Sequence, residues 1–363
     1  MKKLVPDYIK NAMLYPPGTP LDEVKRKLGI TDIVKLNSNE NSLGPSPFAV
    51  KAICDSAGQV NFYPDNSAYY LKQKLAEKHA VLSEQIILGN GSNELVQFIL
   101  MTFLLPEEEI ITCDPTFLLY RIMGSVFGGR IKEAGLKDFC FDLDAVLSEV
   151  TDRTKLVFIS NPNNPTGTIV KADVFKKFMD DLSEDVIVVM DEAYFEYVTD
   201  RDCPDSIGYI KNKKNIIVLR TFSKAYGLAG LRIGYAFAHE SLVNQMEKVR
   251  EPFNANSLAQ KAALAALDDL DHIRKTIENN EAGLSYMYEQ LKRLDLEFIR
   301  SQANFVTLKL GADAGKICER LMKSGILVRN MESFKMGEYI RVSIGLPSEN
   351  ERFIKGLQNI LVS

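Results

Sequence analysis

The residues that could do chemistry fall at a few separated places in the chain. In TFSKAYGLAGLRIGY, Thr221 to Tyr235, Lys224 stands beside Ser223, a small glycine-rich run follows, and Arg232 comes eight residues on. A lysine in such a place is ordinarily solvated. A Ser223–Lys224 hydrolase pair is disfavoured, because adjacent side chains tend to point apart. Thr221, Ser223 and Arg232 are instead the types that hold a phosphate, through hydroxyl donors and a guanidinium fork. Asp191 heads DEAY after an apolar run, with Tyr194 three residues later. It reads as a helix cap or, if buried, as a carboxylate needing a cationic or N–H partner.

Two further clusters are rich in turn formers. A turn explains most of NPNNPTG, Asn161 to Gly167, but Asn164 would still project an amide from it. GNGSNE, Gly89 to Glu94, reads as a tight turn with Ser92 or Asn93 as a helix N-cap. The same helix start could bind phosphate through free N–H groups. It is not a P-loop, because no GK[ST] follows, and Glu94 occupies the third glycine position of a GxGxxG motif.

The elements that must position these residues are short apolar runs: QIIL (Gln85 to Leu88), EIITC (Glu109 to Cys113), KLVFIS (Lys155 to Ser160), DVIVVM (Asp185 to Met190) and NIIVL (Asn215 to Leu219). Runs apolar at nearly every position suit strands buried on both faces, as in a parallel sheet. Residues 142–149 and 172–182 between them have helical spacing. This is an α/β pattern, and the polar clusters sit just past the carboxyl ends of the strands, where open α/β sheets bind ligands. After Pro252 the chain reads as long helix over residues 256–294, broken near 268–271. A smaller α+β unit follows, with strands in LEFIRS, ANFVTLKL, ILVRN and YIRVSIG. The expected organisation is an N-terminal segment over 1–37, a large domain over 38–252 with a mostly parallel central sheet flanked by helices, and a small domain over 253–363.

Bulk properties exclude several classes. A net charge of -4 over 363 residues gives no basic field for nucleic acid or membrane. Five cysteines form no CxxC pair, which suits reduced thiols and a cytoplasmic location. MKKLVPDYIKN lacks the apolar core of a signal peptide, and LVQFILMTFLL, Leu95 to Leu105, is too short to span a bilayer. KNKK, Lys211 to Lys214, reads as a solvated loop. The three histidines, at 79, 239 and 272, have no metal-ligand spacing, so no metal is expected and lysine becomes the candidate proton carrier.

An anion site, a lysine, an aspartate and a phenol in one crevice are together what pyridoxal 5'-phosphate requires. Its aldehyde condenses with a lysine, its pyridine nitrogen stays protonated beside a carboxylate, and its O3′ and phosphate need donors. The ordered set KLNSNENSLGPSP, NFYPD, GNGSNE, DPTFLLY, SNPNNPTG, DEAYFEY, RTFSKAYGLAGLRIGY, ANFV, GILVRN and YIRVSIG resembles the fold-type I, aspartate-aminotransferase-like enzymes. Within them it is similar to the histidinol-phosphate aminotransferases, over nearly the whole chain.

The resemblance implies that Lys224 holds the cofactor and shuttles the proton, that Asp191 pairs with the pyridine nitrogen, and that Tyr194 and Asn164 bond O3′. It implies Ser92, Asn93, Thr221, Ser223 and Arg232 on the cofactor phosphate. Phe117 would stack on the ring where the family more often has tyrosine. Tyr63, in NFYPD, would reach the cofactor of a neighbouring subunit, giving a homodimer with shared active sites. Arg341 would grip the substrate carboxylate common to the superfamily. Arg329 would hold a substrate phosphate, helped by Tyr15 contributed across the dimer. The implied reaction converts L-histidinol phosphate and 2-oxoglutarate to 3-(imidazol-4-yl)-2-oxopropyl phosphate and L-glutamate. Rivals of the same fold are an aromatic amino-acid aminotransferase and a threonine-phosphate decarboxylase. A dinucleotide-binding oxidoreductase, with Asp114 on a ribose hydroxyl, gives Lys224 no task. A non-catalytic regulator would be expected to lose Lys224 or Asp191.

Overall fold

A computed structural model describes residues 4–16, 18, 20–212 and 215–362. Lys213 and Lys214 of the KNKK stretch lie outside them. Near the N-terminus a short strand, β1 (Val34–Lys35), leads into the body of the protein. The large sheet then takes eight strands: β2 (Ile86–Gly89), β3 (Glu109–Asp114), β4 (Arg130–Lys137), β5 (Cys140–Phe141), β6 (Thr154–Ser160), β7 (Ile187–Asp191), β8 (Ile216–Thr221) and β9 (Gly234–Ala238). Their spatial order is β2-β9-β8-β7-β6-β3-β4-β5. Strands β8, β7, β6, β3 and β4 run parallel. β9 is antiparallel to both of its neighbours, and β5 to β4.

Three of these strands were not foreseen. β4, RIKEAGLK, carries four charged residues, and with the two-residue β5 beyond it lacks the continuous apolar run of its buried neighbours. β9 begins at the end of the glycine-rich run that follows Lys224. Its Gly234 packs against the turn before the helix Ser92–Phe103, where an added Cβ would sit 2.5 Å from the Ser92 nitrogen.

Side-chain alternation divides the core in two. Val188 and Val218 face the helices Pro47–Ser56, Tyr69–His79, Ala172–Asp181 and Ser257–Asp268. Phe158, Val189 and Leu219 face the helices Ser92–Phe103, Leu119–Val126 and Glu240–Met246. The apolar tract from Leu95 is therefore a core helix, with Leu95, Val96, Phe98, Ile99 and Leu100 buried. Among the described residues no helix is long and apolar enough to cross a membrane.

The long C-terminal helical region breaks at Asp269, between Ser257–Asp268 and Leu270–Arg293. The alanines of the first helix join the large-sheet core. The second helix, with Leu284, Met287 and Leu291, begins a separate core that also takes Val34 and Leu36. The small unit carries β10 (Phe298–Ile299), β11 (Phe305–Lys309), β12 (Ile326–Leu327), β13 (Arg329–Asn330) and β14 (Tyr339–Ser343). Four of them form an antiparallel sheet in the order β10-β11-β14-β13, while β12 pairs with β1.

Phe158 is fully buried at the centre of β6 and stacks on Tyr120 with ring centroids 4.8 Å apart. Phe158→Ala is expected to destabilise the large domain by about 3–5 kcal/mol through lost burial and a residual cavity. A thermal unfolding scan will register this as a lowered midpoint.

Candidate active site

Ser160, Asp191 and Thr221 end β6, β7 and β8, and strand parity turns them to the face of Phe158, Val189 and Leu219. There the sheet opens on a cavity of about 250 Å³. It is lined from the large domain by Lys224, Asp191, Tyr194, Asn164, Phe117, Ser92, Asn93, Thr221, Ser223 and Arg232. The small domain adds Arg329 and Arg341, and the N-terminal segment adds Tyr15. Thirteen of the fourteen residues singled out from the sequence thus meet in one place. Tyr63 does not: it is 83% exposed and stacks on Phe253 with centroids 4.7 Å apart.

Tyr15 also departs from expectation. Its ring meets Phe117 of its own chain edge-on, at 6.4 Å. Tyr15 lines the cavity of its own chain, and the next residue is held there by Arg329 on β13, which donates to the Pro16 carbonyl at 2.6 Å. No crossing between subunits is needed to bring Tyr15 there.

Asp191 is the deepest charged group. Its Oδ2 accepts a hydrogen bond from the Tyr120 hydroxyl at 2.7 Å, and its Oδ1 accepts one from the Ala193 amide at 3.1 Å. Both partners are neutral. Burial raises its pKa above the ordinary carboxylate range, with Tyr120, the Ala193 amide and the charge of Lys224 pulling the other way. A carboxylate held this way is a ready partner for a cation arriving in the cavity.

Tyr194 ends in a short 3₁₀ turn, Phe195–Tyr197, which brings it onto the Asp191 side of the cavity. Its hydroxyl accepts from Asn39 Nδ2 at 2.9 Å, and its ring meets Phe305 edge-on at 5.3 Å. Lys224 Nζ lies 5.5 Å from the Tyr194 ring centroid and donates to the Ser38 carbonyl at 3.1 Å. Burial lowers the Lys224 pKa to about 8, and the charges of Arg341 and Arg232 add to this against Glu40 and Asp191. Lys224 is therefore a base that carries a free lone pair at mildly alkaline pH.

At the other end of the cavity the groups suit an anion. The helix Ser92–Phe103 starts at Ser92 itself, after Gly91 at φ 83, and no side chain caps it. The capping role considered for Ser92 or Asn93 is thus not taken, and both residues face the cavity within the first turn. Gly91 also leaves room for Arg232, whose Nη2 would lie 2.4 Å from an added Cβ. Glu94, the misfit in the glycine pattern, locks the turn by accepting from the Asn90 amide at 2.7 Å and Asn254 Nδ2 at 2.6 Å. Thr221 and Ser223 hydroxyls sit 3.0 Å apart beside it. Uncapped amides, two hydroxyls and a guanidinium are together of the types that could hold a phosphate.

The small domain brings two arginines to the same cavity. Arg329 and Arg341 are directly opposed across β13 and β14. Arg341 is buried, donates to Asn164 Oδ1 and to the Asn37 carbonyl (3.2 Å), and keeps a buried Nε without a partner among the described residues. Burial lowers its pKa to about 10, Arg329 acting in the same direction and Tyr194 against. Two like charges side by side are stabilised by an anion between them. Asp114, the ribose candidate of the oxidoreductase reading, is instead paired with Lys335 at 2.6 Å.

The family described as aminotransferase class I and II matches residues 31–357. The chain belongs to this family. The aminotransferase is 44% identical to a histidinol-phosphate aminotransferase of Moorella thermoacetica, over 96% of this chain and 90% of the relative. It is 43% identical to the enzyme of that description from Desulfotalea psychrophila, over 99% and 96%. Its structure matches that of a histidinol-phosphate aminotransferase from Sinorhizobium meliloti in complex with pyridoxal-5'-phosphate, with a TM-score of 0.91, 28% identity and 98% of both chains covered.

Sequence reasoning missed Tyr120 and Asn39. Tyr120 stands three residues after Phe117, so a helical turn there would have aligned the two rings. Asn39 meets Tyr194 across 155 residues of chain, which no local pattern announces.

The charge of Arg341 helps hold Lys224 down, so Arg341→Met is expected to raise the Lys224 pKa. In the cofactor-free aminotransferase, amine labelling of Lys224 followed by mass spectrometry should show a pH midpoint of about 8. In the variant the midpoint should move to higher pH.

Proposed function

We propose that this aminotransferase transfers the amino group of L-histidinol phosphate to 2-oxoglutarate, using pyridoxal 5'-phosphate. The observation that carries the substrate is the opposed pair Arg329 and Arg341. Together they suit a phosphate dianion better than one carboxylate. The relatives of 43–44% identity support the same substrate.

The residues fit the cofactor. A buried carboxylate with only neutral hydrogen-bond donors suits a protonated ring nitrogen, so Asp191 would hold it and Tyr120 would hold Asp191. The uncapped helix start with Ser92, Asn93, Thr221, Ser223 and Arg232 would take the cofactor phosphate. Phe117 would cover one ring face, and Tyr194 with Asn164 would donate to O3′. When bound, the cofactor supplies an aldehyde for the substrate amine and an electron sink for the Cα–H bond.

The chain supplies the rest. Lys224 Nζ, with its lowered pKa, takes the proton from the substrate Cα and returns it on the other side of the transfer. Arg341 and Arg329 orient the substrate by its anionic end, so that the amine and Cα meet Lys224. Asn164 connects the two halves, since its Oδ1 accepts from Arg341 and its side chain lines the same cavity as Lys224 and Asp191. Glutamate, the product of the second half-reaction, would use the same arginines through its carboxylates. Tyr63, exposed on its own chain, is assigned to the site of a partner in a homodimer, and the enzyme to the cytoplasm.

Three tests follow from the arginine pair and the lysine. Mixing the cofactor-loaded protein with L-histidinol phosphate should convert its absorbance to the aminated form much faster than mixing with phenylalanine. Equal or faster conversion with phenylalanine would move the protein to the aromatic aminotransferases. Arg329→Gln should lower kcat/KM for histidinol phosphate by about tenfold or more, as expected for losing one charge-assisted contact. Lys224→Ala should abolish the band that borohydride bleaches while leaving the fold intact by circular dichroism.

A further inference from the structure

The segment Asn37–Asn41 is the most heavily used stretch of the site, and one of its side chains has no role in the reaction described above. The Asn37 carbonyl accepts from Arg341, the Ser38 carbonyl from Lys224, and Asn39 donates to Tyr194. Asn41 Nδ2 donates to the Ala225 carbonyl at 2.9 Å and to Thr276 Oγ1 at 3.1 Å. The Asn39 amide donates to Ser343 Oγ at 2.8 Å, and Asn304 Nδ2 to the Asn39 carbonyl at 3.1 Å. The backbone on both sides of Glu40 is thus fixed relative to Lys224, and Glu40 itself lines the cavity.

Its charge is unusual there. Among the described residues lining the cavity the carboxylates are Asp191 and Glu40, against the cations Lys224, Arg232, Arg329 and Arg341. Asp191 is engaged by Tyr120. The Glu40 side chain is partly exposed; its Oε1 accepts from Lys35 Nζ at 2.6 Å, and its Oε2 has no partner among the described residues. The cavity lining also includes the rings of Phe117, Phe334 and Tyr15. With Phe117 given to the cofactor, a flat ring with an N–H at its edge suits the rest of this lining: apolar faces for the Phe334 and Tyr15 rings, and an N–H for a carboxylate oxygen.

We infer that Glu40 is a specificity-determining residue, whose free carboxylate oxygen accepts the ring N–H of an imidazole-bearing substrate. This rests on the reading of the substrate as histidinol phosphate. The same negative charge disfavours a side-chain carboxylate placed at that wall, so glutamate must seat its second carboxylate on the arginines instead. Glu40 influences Lys224 through space as well, and its charge favours the protonated amine. That influence acts on every substrate, whereas the ring contact acts on one.

The test compares wild type with Glu40→Gln and Glu40→Ala as cofactor-loaded proteins. Two half-reactions are followed, one with L-histidinol phosphate and one with L-glutamate. In addition, calorimetry measures the binding of 2-(imidazol-4-yl)ethyl phosphate, which carries the ring and the phosphate but no amine, and of ethyl phosphate. A charge-assisted hydrogen bond is worth about ten- to hundred-fold in affinity. Both variants should lose about that factor in kcat/KM for histidinol phosphate and in binding of the imidazole phosphate. Ethyl phosphate binding should stay as in wild type, and the glutamate half-reaction should be as fast or faster, which also reports an intact fold. Wild-type conversion of histidinol phosphate with unchanged values in both variants would overturn the role of Glu40 alone. Equal losses with both substrates would also overturn it, since they would trace to Lys224. A wild type that converts glutamate but not histidinol phosphate would overturn the substrate reading and this inference together.

Discussion

A carboxylate buried without a cation dominates the energetics of this site. Asp191 costs free energy where it stands, because neither the phenol of Tyr120 nor the amide of Ala193 neutralises it. The surrounding structure keeps it there all the same. Tyr120 is itself fully buried, stacked on Phe158 and edge-on to Phe117 at 5.6 Å, so its hydroxyl has no alternative direction. The site is accordingly preorganised for a cation placed directly against this carboxylate. The two anion sites on either side, one at a helix start and one between paired arginines, impose the same condition with the opposite sign.

The sheet holds this arrangement from its other face. Strand alternation that turns Asp191 and Thr221 toward the cavity turns Glu192 and Arg220 away from it, into the second core layer. There Arg220 and Glu192 meet at 2.6 Å with both side chains almost fully buried, and the guanidinium lies 3.6 Å over the Phe195 ring. Burial raises the Glu192 pKa and Arg220 opposes it. Breaking one partner of such a pair costs about 3–5 kcal/mol. The pair joins the ends of β7 and β8 at the residues next to Asp191 and Thr221, so the strand register that aligns the site is tied down immediately behind it.

The central strands and the polar clusters at their ends were legible because both follow from local pattern. A strand buried on two faces is apolar at every position, and the first polar residue after it marks the crevice. Lys224, Asp191 and Arg232 could be placed on that ground. The strands β4 and β9 were not legible, since β4 is interrupted by charges and β9 starts within a glycine-rich run that reads as loop. The start of the helix at Ser92 was misread for a related reason: Ser and Asn favour caps, but Gly91 takes that position because Arg232 occupies the space a side chain would need. Contacts such as Asn39 with Tyr194, or Arg341 with Asn164, join residues more than a hundred positions apart. They depend on how the small unit docks against the sheet, and no spacing in the sequence encodes that.

The segment Asn37–Asn41 has a consequence for how the protein is made. Its bonds run to Tyr194 and Lys224 in the middle of the chain and to Asn304, Arg341 and Ser343 near its end. Contacts of such long sequence separation form late, after the loops between them have closed. During synthesis the large sheet can assemble once β9 has emerged, but the lysine, the phenol and the arginine cannot be fixed to one another until residue 343 leaves the ribosome. The chain can therefore carry a folded sheet and an unfinished pocket, and it becomes competent to retain a small charged ligand only once β14 has docked.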